Sequence, residues 1–151
     1  MSSIDASSRA TARAEVVDAP TMLRAAGLRV TTQRSAVLDV LRQSAHVAVD
    51  ELHERVHEQI PGIALQTVHG IVNDITAAGI AQRVSLPGAS SSLYELARGD
   101  NHHHVQCVVC GRVEDVDCVV GEAPCLTPSH DHDMRILEAS VTFRGICADC
   151  E

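Results

Sequence analysis

A chain of 151 residues has room for one domain or two small ones, and with one Phe, one Tyr and no Trp its core must come from Val, Leu, Ile and Ala. A net charge of −8 argues against nonspecific nucleic-acid binding driven by bulk charge. That charge is uneven: residues 1–98 carry nine arginines against ten acids, residues 99–151 three against ten, so the near-neutral first part is not excluded from sequence-reading of nucleic acid. No apolar run approaches the ~18–20 residues that span a bilayer, and no signal peptide is evident. Both predict a cytoplasmic protein whose paired cysteines are metal ligands rather than disulfides.

Residues 1–19 mix Ser, Ala, Arg and Asp without period and read as a flexible tail. Pro20 suits the first turn of a short helix over Met22–Ala26, with Gly27 as its stop. Thr31 or Thr32 caps a second helix carrying Ala36, Val37, Val40 and Leu41 at helical spacing. Ser44–Val47 reads as a connection. A third helix starts at Val49 or Asp50, carries Leu52, Val56 and Ile60, and ends at Pro61-Gly62. A fourth runs from Gln66 or Thr67 to Ala78, with Gly79 closing it. The period then changes to that of strands. Ile80–Leu86 and Ser92–Leu96 flank Pro87-Gly88-Ala89-Ser90, a hairpin signal. Helix, helix, helix and then a ribbon is the order of a winged helix, in which the helix before the wing enters the major groove.

Arg98-Gly99-Asp100 marks a boundary. Beyond it Val105–Val109, Arg112–Val116 and Ile136–Ile146 read as strands, and Gly121–Asp133, with its prolines, as a loop. The expected fold class is α+β: a winged-helix unit over residues 20–98 and a small sheet-containing unit over 99–151.

The second unit carries the strongest chemical signal. Cys107/Cys110 and Cys147/Cys150 are two Cys-x-x-Cys knuckles, the ligand set of a closed tetrahedral structural zinc site. His102, His103 and His104 are surplus to four thiolates and point to a second position with nitrogen and oxygen ligands, suited to an exchangeable metal. In a strand, His102 and His104 share a face while His103 points away. Glu95 and Asp115 lie within plausible reach. One locked and one exchangeable metal fit a sensor better than an enzyme. Cys118 and Cys125 lack knuckle spacing and read as free thiols. His53 and His57 read as a polar helix face, and His130 and His132 as part of an acidic loop.

These residues resemble the ferric uptake regulator (Fur) superfamily over about residues 20–150. They are closest to its actinobacterial FurA/CatR branch, with features of the peroxide regulator PerR. The resemblance is carried by Leu28-Arg29-Val30-Thr31-Thr32-Gln33-Arg34, Gln66-Thr67-Val68-His69, Thr76-Ala77-Ala78-Gly79-Ile80 and Tyr94-Glu95-Leu96. It is strongest in Asp100-Asn101-His102-His103-His104-Val105-Gln106-Cys107-Val108-Val109-Cys110-Gly111, and Asp117–Leu126 matches the actinobacterial branch.

The resemblance implies a cytoplasmic homodimeric repressor, with residues 99–151 as its dimerisation and metal-binding domain. Its DNA-binding domain (20–98) would bind a palindromic double-stranded operator through Arg34, Gln66, Thr67 and His69. Structural Zn2+ would sit on Cys107, Cys110, Cys147 and Cys150. Regulatory Fe2+ or Mn2+ would sit on His46, Glu95, His102, His104 and Asp115. A third site of some relatives would fall on His103 and Glu122, with Ala139 where those relatives have a histidine. Ferrous iron there would sense hydrogen peroxide through oxidation of a histidine ligand, and the targets would include peroxide-defence genes such as a catalase-peroxidase. The recognition helix departs from the usual pattern by carrying His69-Gly70 where Tyr-Arg is common. Alternatives are an iron- or zinc-sufficiency repressor, a metal-buffering protein, and a small metalloenzyme using the His/carboxylate site. The last lacks any further catalytic motif.

Overall fold

The computed structural model describes residues 17–99, 102–117, 129–130, 133–135 and 140–151. Helix α1 (Ala19–Ala25) begins earlier than its apolar spacing suggests, because Asp18 caps it: Oδ1 accepts from the Thr21 N–H at 2.8 Å. It ends where Gly27 takes φ +74° and the Leu28 N–H reaches Leu23 O at 2.8 Å. That closure needs a left-handed residue, which glycine adopts without a Cβ penalty. Helix α2 (Thr32–Gln43) is capped by Thr31, whose Oγ1 accepts from the Arg34 N–H at 3.2 Å.

The expected connection after α2 contains a strand, β1 (Val47–Ala48), paired antiparallel with β3 through Val47↔Tyr94 and Ala48↔Leu93. Two residues are too few to show a period in the sequence. Helix α3 (Val49–Gln59) buries Val49, Leu52 and Val56. Helix α4 (Leu65–Ala77) buries Val68, Ile71, Val72 and Ile75. No side chain caps the start of α4, so nothing in the sequence marks its first residue. Strands β2 (Ala81–Val84) and β3 (Leu93–Leu96) form the ribbon, and the first sheet runs β1-β3-β2. Val37, Leu38, Leu52, Val56, Val68, Val72 and Ile75 are wholly buried at the centre of this assembly.

The second sheet runs β5-β4-β6. Strand β4 (His102–Cys107) takes in the entire histidine run and stops at the first cysteine; Val108 and Val109 belong to the turn that follows. It pairs antiparallel with β5 (Val113–Asp117) and parallel with β6 (Thr142–Gly145). The strand expected over Ile136–Ile146 is therefore shorter among the described residues, and 136–139 lie outside them. The expected loop over Gly121–Asp133 lies almost wholly outside them too. Among the described residues beyond Gly99, Cys107 is the one apolar side chain that is buried, whereas Val108, Val109, Phe143 and Ile146 are about half exposed or more. A sheet with so little apolar interior must draw stability from elsewhere.

Candidate metal centre

Two clusters of ligand-type side chains form where these elements meet. In the first, the Sγ atoms of Cys107, Cys110, Cys147 and Cys150 all lie within 4.8 Å of one another. Each knuckle is shaped by its own backbone: the Gly111 N–H donates to Cys107 O at 3.0 Å, and the Cys150 N–H to Cys147 O at 2.9 Å. The Cys110 and Cys147 sulfurs are 3.8 Å apart. Four sulfurs at ~2.3 Å from a tetrahedral zinc stand about 3.8 Å from each other, so the spacing fits that ion. The charge argument agrees. Backbone N–H groups of Cys110, Cys147 and Val109 lower the Cys107 thiol to about 6, while its neighbours Cys147 and Cys110 push Cys150 up to about 12. The first thiolate forms readily while hydrogen bonds from its neighbours keep another thiol protonated, a conflict that a divalent cation resolves.

In the second cluster, a ligand atom from each of His46, Glu95, His104 and Asp115 lies within 4.8 Å of the others. His46 comes from the turn between α2 and β1, where its φ of +60° is a conformation that costs non-glycine residues on the order of 1–3 kcal/mol. This turn aims the imidazole out of the helical half toward the second sheet. Glu95 comes from β3 and is 5% exposed. His102 and His104 alternate with His103 along β4, and Asp115 stands directly opposite His104 in the β4–β5 ladder. His46 Nε2 is 3.0 Å from Glu95 Oε2 and 2.8 Å from Asp115 Oδ1. His102 Nε2 is 3.0 Å and His104 Nε2 3.4 Å from Glu95 Oε1. His102, the fifth residue expected at this position, is not among the four mutually close ligand atoms but lies beside them, 3.9 Å from Asp115 Oδ1. His103 lies on the other face of β4, its ring 6.2 Å from that of Phe143. Glu122, Ala139, Cys118, Cys125 and His132 lie outside the described residues.

Burial disfavours a charged Glu95, yet contacts with His46, Gln82 and His102 outweigh it and hold its carboxyl well below the usual carboxylate range. The Glu95 carboxylate in turn raises His46 against the effect of burial. Short as the contacts are, His46 Nε2, His104 Nε2 and Asp115 Oδ1 are buried atoms whose hydrogen-bonding capacity is unmet. Several buried lone pairs aimed at one point are costly without a partner. A divalent cation satisfies them together. The mixed nitrogen and oxygen donors suit a borderline or hard first-row ion.

Two further side chains touch this cluster and were not read from the sequence. Gln82 Nε2 donates to Glu95 Oε1 at 2.5 Å, and Arg98 Nη1 lies 3.3 Å from Asp115 Oδ2. The only signal for Gln82 is its place in the ribbon, across from Glu95. Arg98 had been read as a boundary.

The helix before the wing, α4, turns Val68, Ile71, Val72 and Ile75 inward, so Gln66, Gly70 and Asn73 are exposed, and Thr67 and His69 are half-buried on its flanks. Arg34 is engaged within the fold: Nη2 bridges to Asp74 Oδ2 at 2.7 Å and Nη1 donates to Arg29 O at 3.0 Å, tying the start of α2 to α4. His53 and His57 are more than a polar face. His53 Nε2 is 2.9 Å from Ile63 O, and the Gly62 N–H donates to His57 Nε2 at 3.3 Å, so both fasten the turn between α3 and α4.

Comparison with known proteins agrees with this fold. The profile of the ferric uptake regulator family matches residues 25–144. Ferric uptake regulation protein 1 of Mycolicibacterium fortuitum is 44% identical over 130 residues, spanning 86% of this chain and 80% of that protein. Transcriptional regulator FurA of Mycobacterium bovis is 40% identical over 135 residues, 89% of this chain and 91% of the relative. The crystal structure of the Vibrio cholerae ferric uptake regulator superposes with a TM-score of 0.67 at 29% identity, covering 86% of this chain and all of that one.

Proposed function

Since the chain belongs to the ferric uptake regulator family, alongside its actinobacterial FurA members, and is a metal-dependent transcriptional regulator rather than an enzyme, we propose that it is a peroxide-sensing repressor. It acts as a cytoplasmic homodimer on a palindromic DNA operator. Structural zinc is held by Cys107, Cys110, Cys147 and Cys150. A regulatory Fe2+ or Mn2+ is held by His46, Glu95, His102, His104 and Asp115. Residues 20–98 bind DNA and 99–151 dimerise and bind metal. Its targets are peroxide-defence genes.

The observation that carries the reading is the buried cluster joining His46 and Glu95, from the helix-and-ribbon half, to His104 and Asp115, from the second sheet. An ion held by both halves fixes their relative angle. In a dimer that angle sets the distance between two α4 helices, and hence the fit to two operator half-sites. Metal and DNA then favour each other reciprocally, by about 1–3 kcal/mol in typical coupled systems. Gln66, Thr67 and His69 face the groove from α4, with Arg34 beside them bracing the helix through Asp74. The half-exposed Val108, Val109, Phe143 and Ile146 supply an apolar surface suited to a second subunit. No described helix is long and apolar enough to cross a membrane.

Bound ferrous iron would supply reactivity toward hydrogen peroxide that redox-inert manganese lacks. The histidines nearest the ion are then the first side chains exposed to the oxidant. Loss of one ring as a ligand loosens the link between the halves and releases DNA. The deciding experiment is operator binding by the zinc-loaded protein with Fe(II) or Mn(II), before and after a low dose of peroxide. Loss of binding in the iron form alone supports a peroxide sensor. Equal persistence in both forms supports a plain metal-sufficiency repressor instead.

A further inference from the structure

Asp74 is a carboxylate in the last turn of α4, and that turn holds no basic residue. The C-terminal end of a helix is its negative end, so an acid there is unfavourable unless a cation answers it. The cation comes from another helix. Arg34, in the first turn of α2, reaches across with Nη2 to Asp74 Oδ2 at 2.7 Å, and its Nη1 donates to Arg29 O at 3.0 Å. The arginine side chain is 21% exposed and the aspartate side chain 52%. The guanidinium is therefore held at two points, while the carboxylate keeps one side in solvent.

Helical spacing puts Asp74 on the side of α4 that carries Thr67 and Gly70, seven and four residues before it. A carboxylate beside DNA repels phosphate, and an arginine beside DNA attracts it. Phosphate contacts add affinity for every duplex alike, whereas base contacts carry the sequence preference. The chain has no lysine, so each arginine near the groove weighs heavily in nonspecific binding. Resting on the reading of α4 as the helix that reads DNA, we propose that Asp74 is a specificity-determining residue: it engages Arg34 as a brace between α2 and α4 and keeps that cation off the DNA backbone. An ion pair with an exposed partner adds little to stability. The value of this one lies in where it holds the arginine.

The test uses the full chain with its four-cysteine site filled with zinc and Mn(II) added. The parent first selects a duplex from a random-sequence pool. Parent, R34A, D74A and the double variant are then compared on that duplex, and on an unrelated one of equal length, over a range of salt. D74A frees the arginine, so the slope of log affinity against log salt should steepen by about 0.9, the contribution of one phosphate contact. The preference for the selected duplex should fall with it. R34A removes a brace and not a phosphate contact, so it should weaken binding and keep the parental slope. Adding R34A to D74A should return the steepened slope to the parental value, which loss of the carboxylate's repulsion alone would not do. A slope in R34A shallower by about 0.9 would place Arg34 on phosphate already in the parent. A parental slope in D74A would show that the arginine stays in place without its partner. Either result overturns the proposal. A parent that enriches no sequence from the pool instead overturns the reading of α4 itself.

Discussion

His46 and Asp115 meet at 2.8 Å, Nε2 to Oδ1, although one belongs to the turn after α2 and the other to the middle of β5. Their approach brings the helical half and the second sheet together, and each half supplies candidate ligands that the other lacks. Metal dependence of DNA binding follows from this geometry. H46A should leave the four-cysteine site full and remove the second ion. Operator affinity measured by fluorescence anisotropy with Mn(II) should then fall by roughly 5- to 150-fold, the range that a coupling of 1–3 kcal/mol corresponds to. Unchanged affinity would show that the cluster does not govern DNA binding.

The second sheet has one buried apolar side chain among its described residues, Cys107, and that residue is also a candidate zinc ligand. Metal and fold are thus the same problem there. Cys147→Ser should abolish tight zinc binding, read by elemental analysis. It should also lower the melting temperature and the protection of β4–β6 amides from hydrogen exchange, leaving α2–α4 protected. A strong chelator should reproduce the effect in the parent protein, because removing zinc from such a site removes folding free energy.

The elements with a clear period or a clear cap were legible in the sequence. α2 announced itself through Thr31 and its apolar stripe, and the end of α4 through Gly79. What stayed hidden depended on partners distant in the chain. β1 is two residues long and exists because the edge of β3 needs a neighbour. Gln82 looks like any ribbon residue until the register sets it across from Glu95. The candidate ligands that the structure brings together were legible because thiols in knuckles and alternating histidines have few other uses. The left-handed turn that aims His46 at them carries no glycine to signal it.

Asp18 provides a pH-dependent test of the N-terminal cap. Its hydrogen bonds to Thr21 lower its pKa from the ordinary value of 3.8, so the folded state favours the ionised form. A group depressed in this way contributes stability above its unfolded pKa, and loses it as pH falls through the folded value. D18A should therefore lower the melting temperature at neutral pH, and the gap from the parent should shrink below about pH 4. An equal gap at pH 7 and pH 3 would mean that the charge of the cap plays no part.

The last prediction concerns what α4 reads. Val68, Ile71, Val72 and Ile75 hold the helix against the core, so the polar side chains it leaves outward include Gln66, Thr67, His69 and Asn73, with Gly70 adding none. An imidazole on a helix in the major groove can donate to or accept from a base edge. A contact to a base is worth about 1–3 kcal/mol and carries sequence preference, whereas a contact to phosphate carries salt dependence instead. H69A should accordingly weaken specific binding about tenfold or more and relax the preference at one operator position in each half-site. The slope of affinity against salt should hardly change. The measurement is competition between the operator and single-base variants of it at two salt concentrations. A uniform loss across all the DNAs, with a shallower salt slope, would place His69 on the backbone and leave base reading to Gln66 and Thr67.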